Sequence, residues 1–482
     1  MKIVVIGGGI AGVCCVEEVC RLGQKADEIT LVSASSVLKG VTNVVKRTAN
    51  LEEFDVVERD LTSLPYKNLT VVNDVVSGID GSEKTVELGS GTILHFDKLC
   101  ICTGARPKDF NAMKHVLTLR DVESIERLRA RLEGARKVMV VGNGGIALEV
   151  MQALKGVEII WALKHPQIGD AFFDVDAAQF LLEELEMNFW QKQPQSTQET
   201  DTSEKEVPTS ATGNAARTPG TEKKDSSSNV RQEIGHAVGP RWAEALPESG
   251  EPPSVTLEPN SVVEYVGEAA TLDPGSYPIS VRLSNGNSHE VDFVISAIGV
   301  DVVMDWVPEA VERASDGGLK VDSKMETSVE GVFAAGDCCS FTSHSPHWFQ
   351  MRLWTQARIM GTYAAHCMLG VADDYASGFN FELFTHATKF CGKKVILLGL
   401  YNGQGLEGEP KEDLISYSRV VKAPVSSFVR VVLLRGRMQG AVLIGDTEME
   451  EAFENVILDG IDLSSFGEEI LDPELEFDHI FD

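Results

Sequence analysis

The chain has 482 residues, of which 43% are hydrophobic and 24% are charged. At ~150 residues per domain, this length predicts about three domains. The composition excludes a largely disordered, collagen-like or membrane protein, because no apolar run reaches the ~18–20 residues that span a bilayer. The 73 acidic residues outnumber the 43 basic ones and give a formal charge of −30, which excludes non-specific binding to the phosphate backbone of nucleic acids.

The start of the chain and the cysteines bear on the cellular compartment. A strand-like run, Lys2–Ile6, follows Met1 directly and leaves no room for a signal or transit peptide of ~15–30 residues. The nine cysteines are odd in number and partly adjacent, which is not the pattern of a disulfide framework. The sequence therefore predicts a cytoplasmic or nuclear protein with reduced thiols.

A glycine-rich turn follows this first strand and begins a predicted helix. It has the G-x-G-x-x-G pattern of dinucleotide-binding domains and reads Gly7-Gly8-Gly9-Ile10-Ala11-Gly12. The first glycine permits the tight turn, the second lets the backbone approach a pyrophosphate, and the third allows the helix to pack on the strand. Because a helix N-terminus presents free N–H groups and partial positive charge, this segment is predicted to bind a dinucleotide.

A second copy of this pattern follows the predicted strand Lys137–Val141. Its sequence is Gly142-Asn143-Gly144-Gly145-Ile146-Ala147, with the alanine that the fingerprint allows at its last position. Two copies on one chain predict two bound dinucleotides. The alternative is that one copy is a relic without a ligand.

Strand and helix patterns alternate through the first 185 residues, as they do in βαβ units. A polar segment at about 191–253 is predicted to be a flexible insertion, because Gln191–Arg241 contains no Phe, Tyr or Trp to bury. Further elements are then predicted, in chain order, as strands Ser261–Val266, Pro278–Leu283 and Val291–Ile298, helix Met351–Leu369, strands Lys394–Leu400, Phe428–Arg435 and Gln439–Ile444, helix Glu448–Leu458, and a solvated acidic tail, Gly467–Asp482.

Two more segments point to a family. His95–Pro107 looks like the segment that ends the flavin domain of flavoproteins with two dinucleotide-binding domains, and Gly331–Asp337 resembles their later FAD motif. Together with both fingerprints, these segments resemble the pyridine nucleotide-disulfide oxidoreductase superfamily. Three further runs, Gly142–Glu149, Gln350–Arg358 and Gly440–Gly445, resemble one branch of that superfamily.

The resemblance implies an α/β fold with two Rossmann-like dinucleotide-binding domains and a smaller α+β C-terminal domain. The FAD-binding domain is expected at 1–112 and 326–374, the NAD(P)-binding domain at 113–325, and the C-terminal domain at 375–482. The residues expected to bind FAD are Gly7, Gly9, Ile10, Ala11, Gly12, Ser33, Ser35, Lys39, Val76, Thr103, Gly104, Ala105, Gly336 and Asp337. Those expected to bind NAD(P)H are Gly142, Asn143, Gly144, Gly145, Ile146, Lys164 and Gly299.

The resemblance also implies a catalytic pair near the stacked nicotinamide and flavin. Glu149 is the acidic member, and Lys46 or, less favoured, Lys39 is its cationic partner. A cation near flavin N5 favours the anionic reduced flavin. No acidic residue follows the strand that ends at Lys164, so the preference between NADH and NADPH stays open.

The redox-active cysteine pair of many superfamily members is missing from this sequence. No C-x-x-C exists, and the predicted loop Lys39–Thr48, where the pair usually lies, contains no cysteine. Cys15 and Cys20 are spaced along a predicted helix, which separates them by about 8–9 Å and ~140°, too far for a disulfide. Adjacent Cys338 and Cys339, with His344 and His347, are expected to be packing residues rather than a redox pair or a metal site, and no metal is predicted.

These features predict an FAD-dependent NAD(P)H oxidoreductase with a redox-protective role. Without an internal dithiol, its electrons go to an external acceptor, for which oxygen, a quinone, a protein disulfide and an iron–sulfur protein stay open. The resemblance also implies an alternative: a nucleotide-gated partner that protects a protein complex, by resemblance the tRNA ligase complex, with slow flavin turnover. The insertion and the acidic tail are candidate docking segments for such a partner.

Overall fold

A computed structural model describes residues 1–108, 115–120, 122–190, 242, 246, 250–269, 275–372, 380–472 and 475. Most of the predicted insertion and the end of the predicted tail lie outside these residues. Within them, the predicted α/β fold is confirmed: two five-stranded parallel sheets are joined to a five-stranded antiparallel C-terminal sheet.

The described helices are α1 (Ile10–Leu22), α2 (Val122–Leu132), α3 (Gly145–Ala153), α4 (Val175–Asn188), α5 (Trp354–Leu369) and α6 (Glu450–Asp459), and a short 3-10 helix spans Gly467–Leu471. None of the helices in the described part of the chain is both long and apolar enough to cross a membrane.

The strands of the first two-thirds of the chain are β1 (Lys2–Ile6), β2 (Glu28–Ser33), β3 (Val37–Lys46), β4 (Glu52–Asp60), β5 (Leu69–Asn73), β6 (Val76–Asp80), β7 (Thr85–Leu88), β8 (Ile93–His95), β9 (Lys98–Ile101), β10 (Arg106–Pro107), β11 (Val116–Thr118), β12 (Lys137–Val141), β13 (Glu158–Ala162), β14 (Val255–Glu258), β15 (Val263–Glu268), β16 (Ile279–Leu283), β17 (Ser288–Val291), β18 (Phe293–Ser296) and β19 (Val300–Asp301). The remaining strands are β20 (Leu319–Lys320), β21 (Val332–Ala334), β22 (Cys339–Ser340), β23 (Thr385–Phe390), β24 (Lys393–Gly399), β25 (Leu414–Val421), β26 (Ser427–Leu434) and β27 (Arg437–Ile444).

The two parallel sheets repeat one plan. The first has the order β21-β9-β1-β2-β5 and the second the order β11-β18-β12-β13-β14, and each is accompanied by a three-stranded antiparallel sheet, β6-β7-β8 or β15-β16-β17. In both sheets the strand before the glycine-rich turn, β1 or β12, lies in the centre and is rich in buried valine. Strand β21 belongs to the first sheet but follows all strands of the second sheet in the sequence. The unit built on the second sheet is therefore inserted within the unit built on the first.

Helix packing around the first fingerprint depends on one close approach. Helix α5 crosses α1 at Gly361, where an added Cβ atom would lie 2.2 Å from the carbonyl oxygen of Ala11. The helices therefore touch through their backbones, and α1 is buried on nearly every side. This contact sets the N-terminal end of α5 beside the fingerprint.

The C-terminal sheet has the order β23-β24-β27-β26-β25, all antiparallel. Helix α6 covers one face of this sheet, with Phe453 in the same apolar cluster as Val431 and Leu433. The sequence pattern did not predict β25. The start of the predicted solvated tail is also not solvated, because Ile470 and Leu471 are buried in that cluster.

The hairpin β3-β4 occupies the segment where the sequence pattern indicated a loop. Its turn is fixed to the C-terminal unit by the buried carboxylate of Glu454, which accepts hydrogen bonds from the Thr48 hydroxyl and from the backbone and side-chain nitrogens of Asn50, the latter two at 2.9 and 3.0 Å. An Arg358–Glu52 ion pair ties the same end of the hairpin to α5 of the first unit. The first unit and the C-terminal unit are thus held together at this point.

Candidate functional site

The first glycine-rich turn has the geometry that its pattern requires. Gly7 has a φ of +121°, and a Cβ there would lie 2.1 Å from the carbonyl oxygen of Cys102. A Cβ on Gly12 would lie 1.9 Å from the carbonyl oxygen of Gly7. At Gly9, the N-cap of α1, no described atom beyond its helix and chain neighbours lies within 4 Å of such a Cβ. Two glycines thus serve the turn and packing, and the third borders open space at a helix N-terminus.

The second turn repeats this geometry. Gly142 has a φ of +134°, and a Cβ there would lie 2.1 Å from the carbonyl oxygen of Ala297. Gly144 is the N-cap of α3, and a Cβ on it also has open space within 4 Å. The side chain of Asn143 holds the loop, since its amide donates to the Gln167 carbonyl at 2.7 Å. Both fingerprints therefore form cradles of the kind that accept a pyrophosphate.

The segments expected at the flavin surround the first cradle with polar groups. The hydroxyl of Thr103 is buried and has no hydrogen-bond partner among the described residues. Gly104 and Gly336 have φ values of +69° and +79°, which only glycine adopts without strain. Burial raises the pKa of the Asp337 carboxyl, whereas the guanidinium groups of Arg352 and Arg120, neither of them predicted, oppose that rise.

These observations fit FAD. A buried hydroxyl without a partner and a half-buried carboxyl group are costly in the apoprotein, and a polyhydroxyl chain offers hydrogen bonds to both. Ala105, the last residue of the predicted Thr103–Ala105 contact, is buried. Ile10 and Ala11 form the buried first turn of α1, and the Ala11 methyl lies 2.8 Å from a Cβ built on Gly336.

The residues expected at the adenosine end of FAD lie at the carboxyl end of β2. Ser33 is buried, and its hydroxyl donates to the carbonyl of Ser35 at 2.9 Å. The Ser35 hydroxyl accepts from the backbone N–H of Val37 at 3.1 Å, while its side chain stays exposed. Val76 is half-buried at the start of β6. Ser35 is thus the better placed of the two serines for contact with a ribose.

The two candidate lysines occupy opposite ends of β3. Lys39 lies at the first cradle: its backbone N–H donates to the Gly8 carbonyl at 2.8 Å, and its ammonium group lies 3.2 Å from the Arg120 carbonyl and 5.6 Å from the ring centre of Trp354. Lys46 is exposed and seven residues further along, a strand length of about 20 Å. The preference for Lys46 stays a prediction, although Lys39, which was ranked second, is the lysine that lies at the first cradle.

Glu149 lies in the first turns of α3 and is only 4% exposed. Its carboxylate accepts a hydrogen bond from the indole N–H of Trp242 at 3.2 Å. Among the described ion pairs none joins Glu149 to Lys46, because one side chain is buried and the other faces solvent. Trp242 was not predicted, since it falls within the polar insertion.

The second cradle is bordered by the C-terminal unit. A Cβ on Gly145 would lie 3.3 Å from the ring of Phe390 in β23 and 3.5 Å from that of Phe172, so aromatic rings cover the first turn of α3 next to half-buried Ile146. No pattern in the sequence singled out these two rings. Lys164 is exposed directly after β13, and Gly299 has a φ of +98° with open space around a built Cβ. Lys164 and Gly299 stay predicted contacts at the edge of the NAD(P)H site.

All nine cysteines are free. Burial raises the pKa of Cys14 and of Cys338 to about 12, and Cys15 and Cys20 lie together on α1 without a bond. Buried thiols of this kind are protonated near neutral pH and react slowly. No group of His, Cys, Asp and Glu side chains in the described part of the chain has a geometry that holds a metal ion.

The sequence profile described as pyridine nucleotide-disulphide oxidoreductase matches residues 1–212 and 228–365. The chain belongs to this family. Within it, the chain is 38% identical to the Homo sapiens protein named pyridine nucleotide-disulfide oxidoreductase domain-containing protein 1, over 100% of this chain and 98% of that protein. The resemblance to one branch of the family is thereby confirmed. Members of the family typically bind FAD and NAD(P)H.

Solved structures of related reductases have the same fold. An NAD-dependent persulfide reductase from A. fulgidus superposes with a TM-score of 0.67 and 20% identity, over 97% of this chain and 78% of that one. Putidaredoxin reductase, in its covalent complex with putidaredoxin, superposes with a TM-score of 0.63 and 16% identity, over 100% and 98% of the two chains. At these identities the likeness concerns the fold.

Proposed function

We propose that this family member is an FAD-dependent NAD(P)H oxidoreductase that passes electrons to an acceptor outside its own chain. The observation that carries the proposal is the pair of equivalent cradles, each with open space at the middle glycine, Gly9 or Gly144, of a helix N-terminus. Strands β10 and β19 connect the two units directly beside Gly104 and Gly299. The two proposed dinucleotide sites thus lie on either side of the place where β10 and β19 pair.

The first cradle supplies the groups that FAD requires. The N-terminus of α1 at Gly9 would hold the pyrophosphate, and Thr103 and Asp337 would accept and donate hydrogen bonds along the ribityl chain. Lys39 would place its ammonium group at the flavin, where positive charge favours the reduced anion. When bound, FAD supplies the capacity to take a hydride from a nicotinamide and to release electrons singly or in pairs.

The second cradle supplies the groups that NAD(P)H requires. The N-terminus of α3 at Gly144 would hold the coenzyme pyrophosphate, with Lys164 near its adenosine end. Glu149 lies one turn into that helix and would contact the nicotinamide end. The rings of Phe390 and Phe172 cover the N-terminal end of α3. They would exclude water from the place where the two coenzymes meet.

The acceptor is proposed to be external because the chain offers no thiol relay of its own. The nine cysteines are unbonded, and burial raises the pKa of those nearest the first cradle. Segment β3, which takes the place of the usual dithiol segment, is a strand without cysteine. A small oxidant, a quinone, a protein disulfide or an iron–sulfur protein would then reoxidise the flavin, in a redox-protective role.

Anaerobic stopped-flow mixing of the purified flavoprotein with NADH and with NADPH tests this proposal. Bleaching of the flavin absorbance near 450 nm is expected with at least one coenzyme, followed by recovery on admission of air or an acceptor. Purified protein that binds no flavin, or flavin that neither coenzyme reduces, would refute the proposal. The nucleotide-gated protection of a tRNA ligase complex stays a prediction, and a complex that forms only with NAD(P)H present would favour it.

A further inference from the structure

The chain on either side of residues 191–241 is anchored to the same helix. Trp190, directly before residues 191–241, donates its indole N–H to the backbone carbonyl of Met151 at 3.2 Å. Trp242, directly after them, donates to the carboxylate of Glu149 at 3.2 Å. Both rings are buried, and their acceptors are two residues apart on α3, or about 3 Å along its axis.

The two anchors differ in the kind of acceptor they engage. Trp190 donates to a backbone carbonyl, and its ring also packs edge-on against Trp161 with centroids 6.3 Å apart. Trp242 instead holds a side chain that lies one turn from the second cradle. A hydrogen bond to a buried carboxylate is stronger than one to a neutral carbonyl, and it fixes the direction in which the carboxylate points.

We propose that Trp242 is a positioning residue for Glu149, which ties the affinity of the NAD(P) site to the chain that directly follows residues 191–241. The inference rests on the proposed function, in which Glu149 contacts the nicotinamide end of the coenzyme. Without the indole N–H, a carboxylate that is 4% exposed has lost a donor and turns to other partners. The Glu149 carboxylate that contacts the coenzyme is then less well ordered.

The test compares Trp242→Phe with Trp190→Phe in the FAD-loaded protein. Each substitution removes one indole N–H and keeps an aromatic ring in place. Isothermal titration with NAD⁺ and NADP⁺ measures affinity without electron transfer, and stopped-flow reduction gives the limiting rate separately. Trp242→Phe is expected to raise the Kd of the preferred coenzyme about tenfold, whereas Trp190→Phe changes it less than twofold.

A double-mutant cycle with Glu149→Leu separates positioning from general support, because leucine accepts no hydrogen bond from the indole N–H. In the Glu149→Leu background, Trp242→Phe is expected to have no further effect on the Kd, because the group it positions is already absent. Equal effects of both tryptophan variants, no effect of Trp242→Phe, or full additivity with Glu149→Leu would overturn the inference and leave the proposed function standing. Failure of the wild-type flavoprotein to bind either coenzyme would overturn both.

Discussion

For Gly9→Ala the structure predicts separate effects on the stability of the apoprotein and on its affinity for FAD. Gly9 has φ −79° and ψ −180°, an extended conformation that alanine adopts, and its added methyl meets no described atom within 4 Å. The stability of the apoprotein is therefore expected to change by no more than about 1 kcal/mol. The methyl group instead fills the space in which the backbone would approach the FAD pyrophosphate.

The expected cost to FAD affinity follows from the hydrogen bonds lost. A backbone N–H that contacts a phosphate is worth roughly 1.5–3 kcal/mol, so the loss of one or two such contacts weakens FAD binding by about 2–3 kcal/mol. Each 1.4 kcal/mol is tenfold in Kd, which gives a loss on the order of 100-fold. Fluorescence titration of the apoprotein with FAD measures this change, and thermal unfolding without FAD measures stability.

Two matched variants make the forecast specific. Gly12→Ala places a Cβ 1.9 Å from the Gly7 carbonyl oxygen, so it is expected to disrupt folding rather than FAD binding alone. Gly144→Ala fills the second cradle and is expected to weaken NAD(P)H binding while FAD content stays normal. If Gly9→Ala bound FAD as tightly as wild type, or if Gly144→Ala lost FAD, the assignment of the cradles would be wrong.

Further forecasts concern single side chains. Lys39→Met should slow flavin reduction by NAD(P)H at least tenfold in stopped-flow, whereas Lys46→Met, which removes an exposed lysine, should not. Because burial raises the pKa of Asp337, its carboxyl group binds a proton more tightly in the folded apoprotein than in the unfolded chain. The stability of the apoprotein therefore falls as pH rises above about 4. Asp337→Asn should therefore raise the apoprotein melting temperature at pH 7 yet weaken FAD binding, and a lower melting temperature would refute the pKa direction. Cys338→Ala should cost roughly 1–2 kcal/mol in denaturant unfolding and leave turnover within twofold, whereas abolished turnover with FAD retained would imply a thiol relay.

The sequence predicted those parts of the site that depend on backbone geometry. Gly12 is required by a contact within the turn and its helix, and Gly7 and Gly142 have the positive φ of the turn itself. Such local constraints leave a pattern along the chain. The contributions of Phe390 and Trp242 come from segments distant in sequence, and no local pattern marks them. The sequence could not separate Lys39 from Lys46 for a related reason: this segment was expected to be a loop, whereas the two lysines lie about 20 Å apart along strand β3.

The C-terminal unit shows the same limit. Strands rich in buried valine and leucine, such as β24 and β27, were predicted at close to their observed bounds. Strand β25 was missed because its exposed positions include Val420 as well as two serines, while half-buried positions carry Tyr417 and Arg419, so it lacks a clear alternation of apolar and polar residues. Ile470 and Leu471 are buried although acidic residues surround them, since their burial depends on the neighbouring sheet and not on local composition.

An anaerobic reductive titration with dithionite most directly examines whether flavin is the sole redox group of the chain. Each molecule of flavoprotein is expected to consume two electrons, with the yellow absorbance lost in proportion from the first addition. Consumption of four electrons per flavin, accompanied by two newly titratable thiols, would show a disulfide in communication with the ring and would contradict this account.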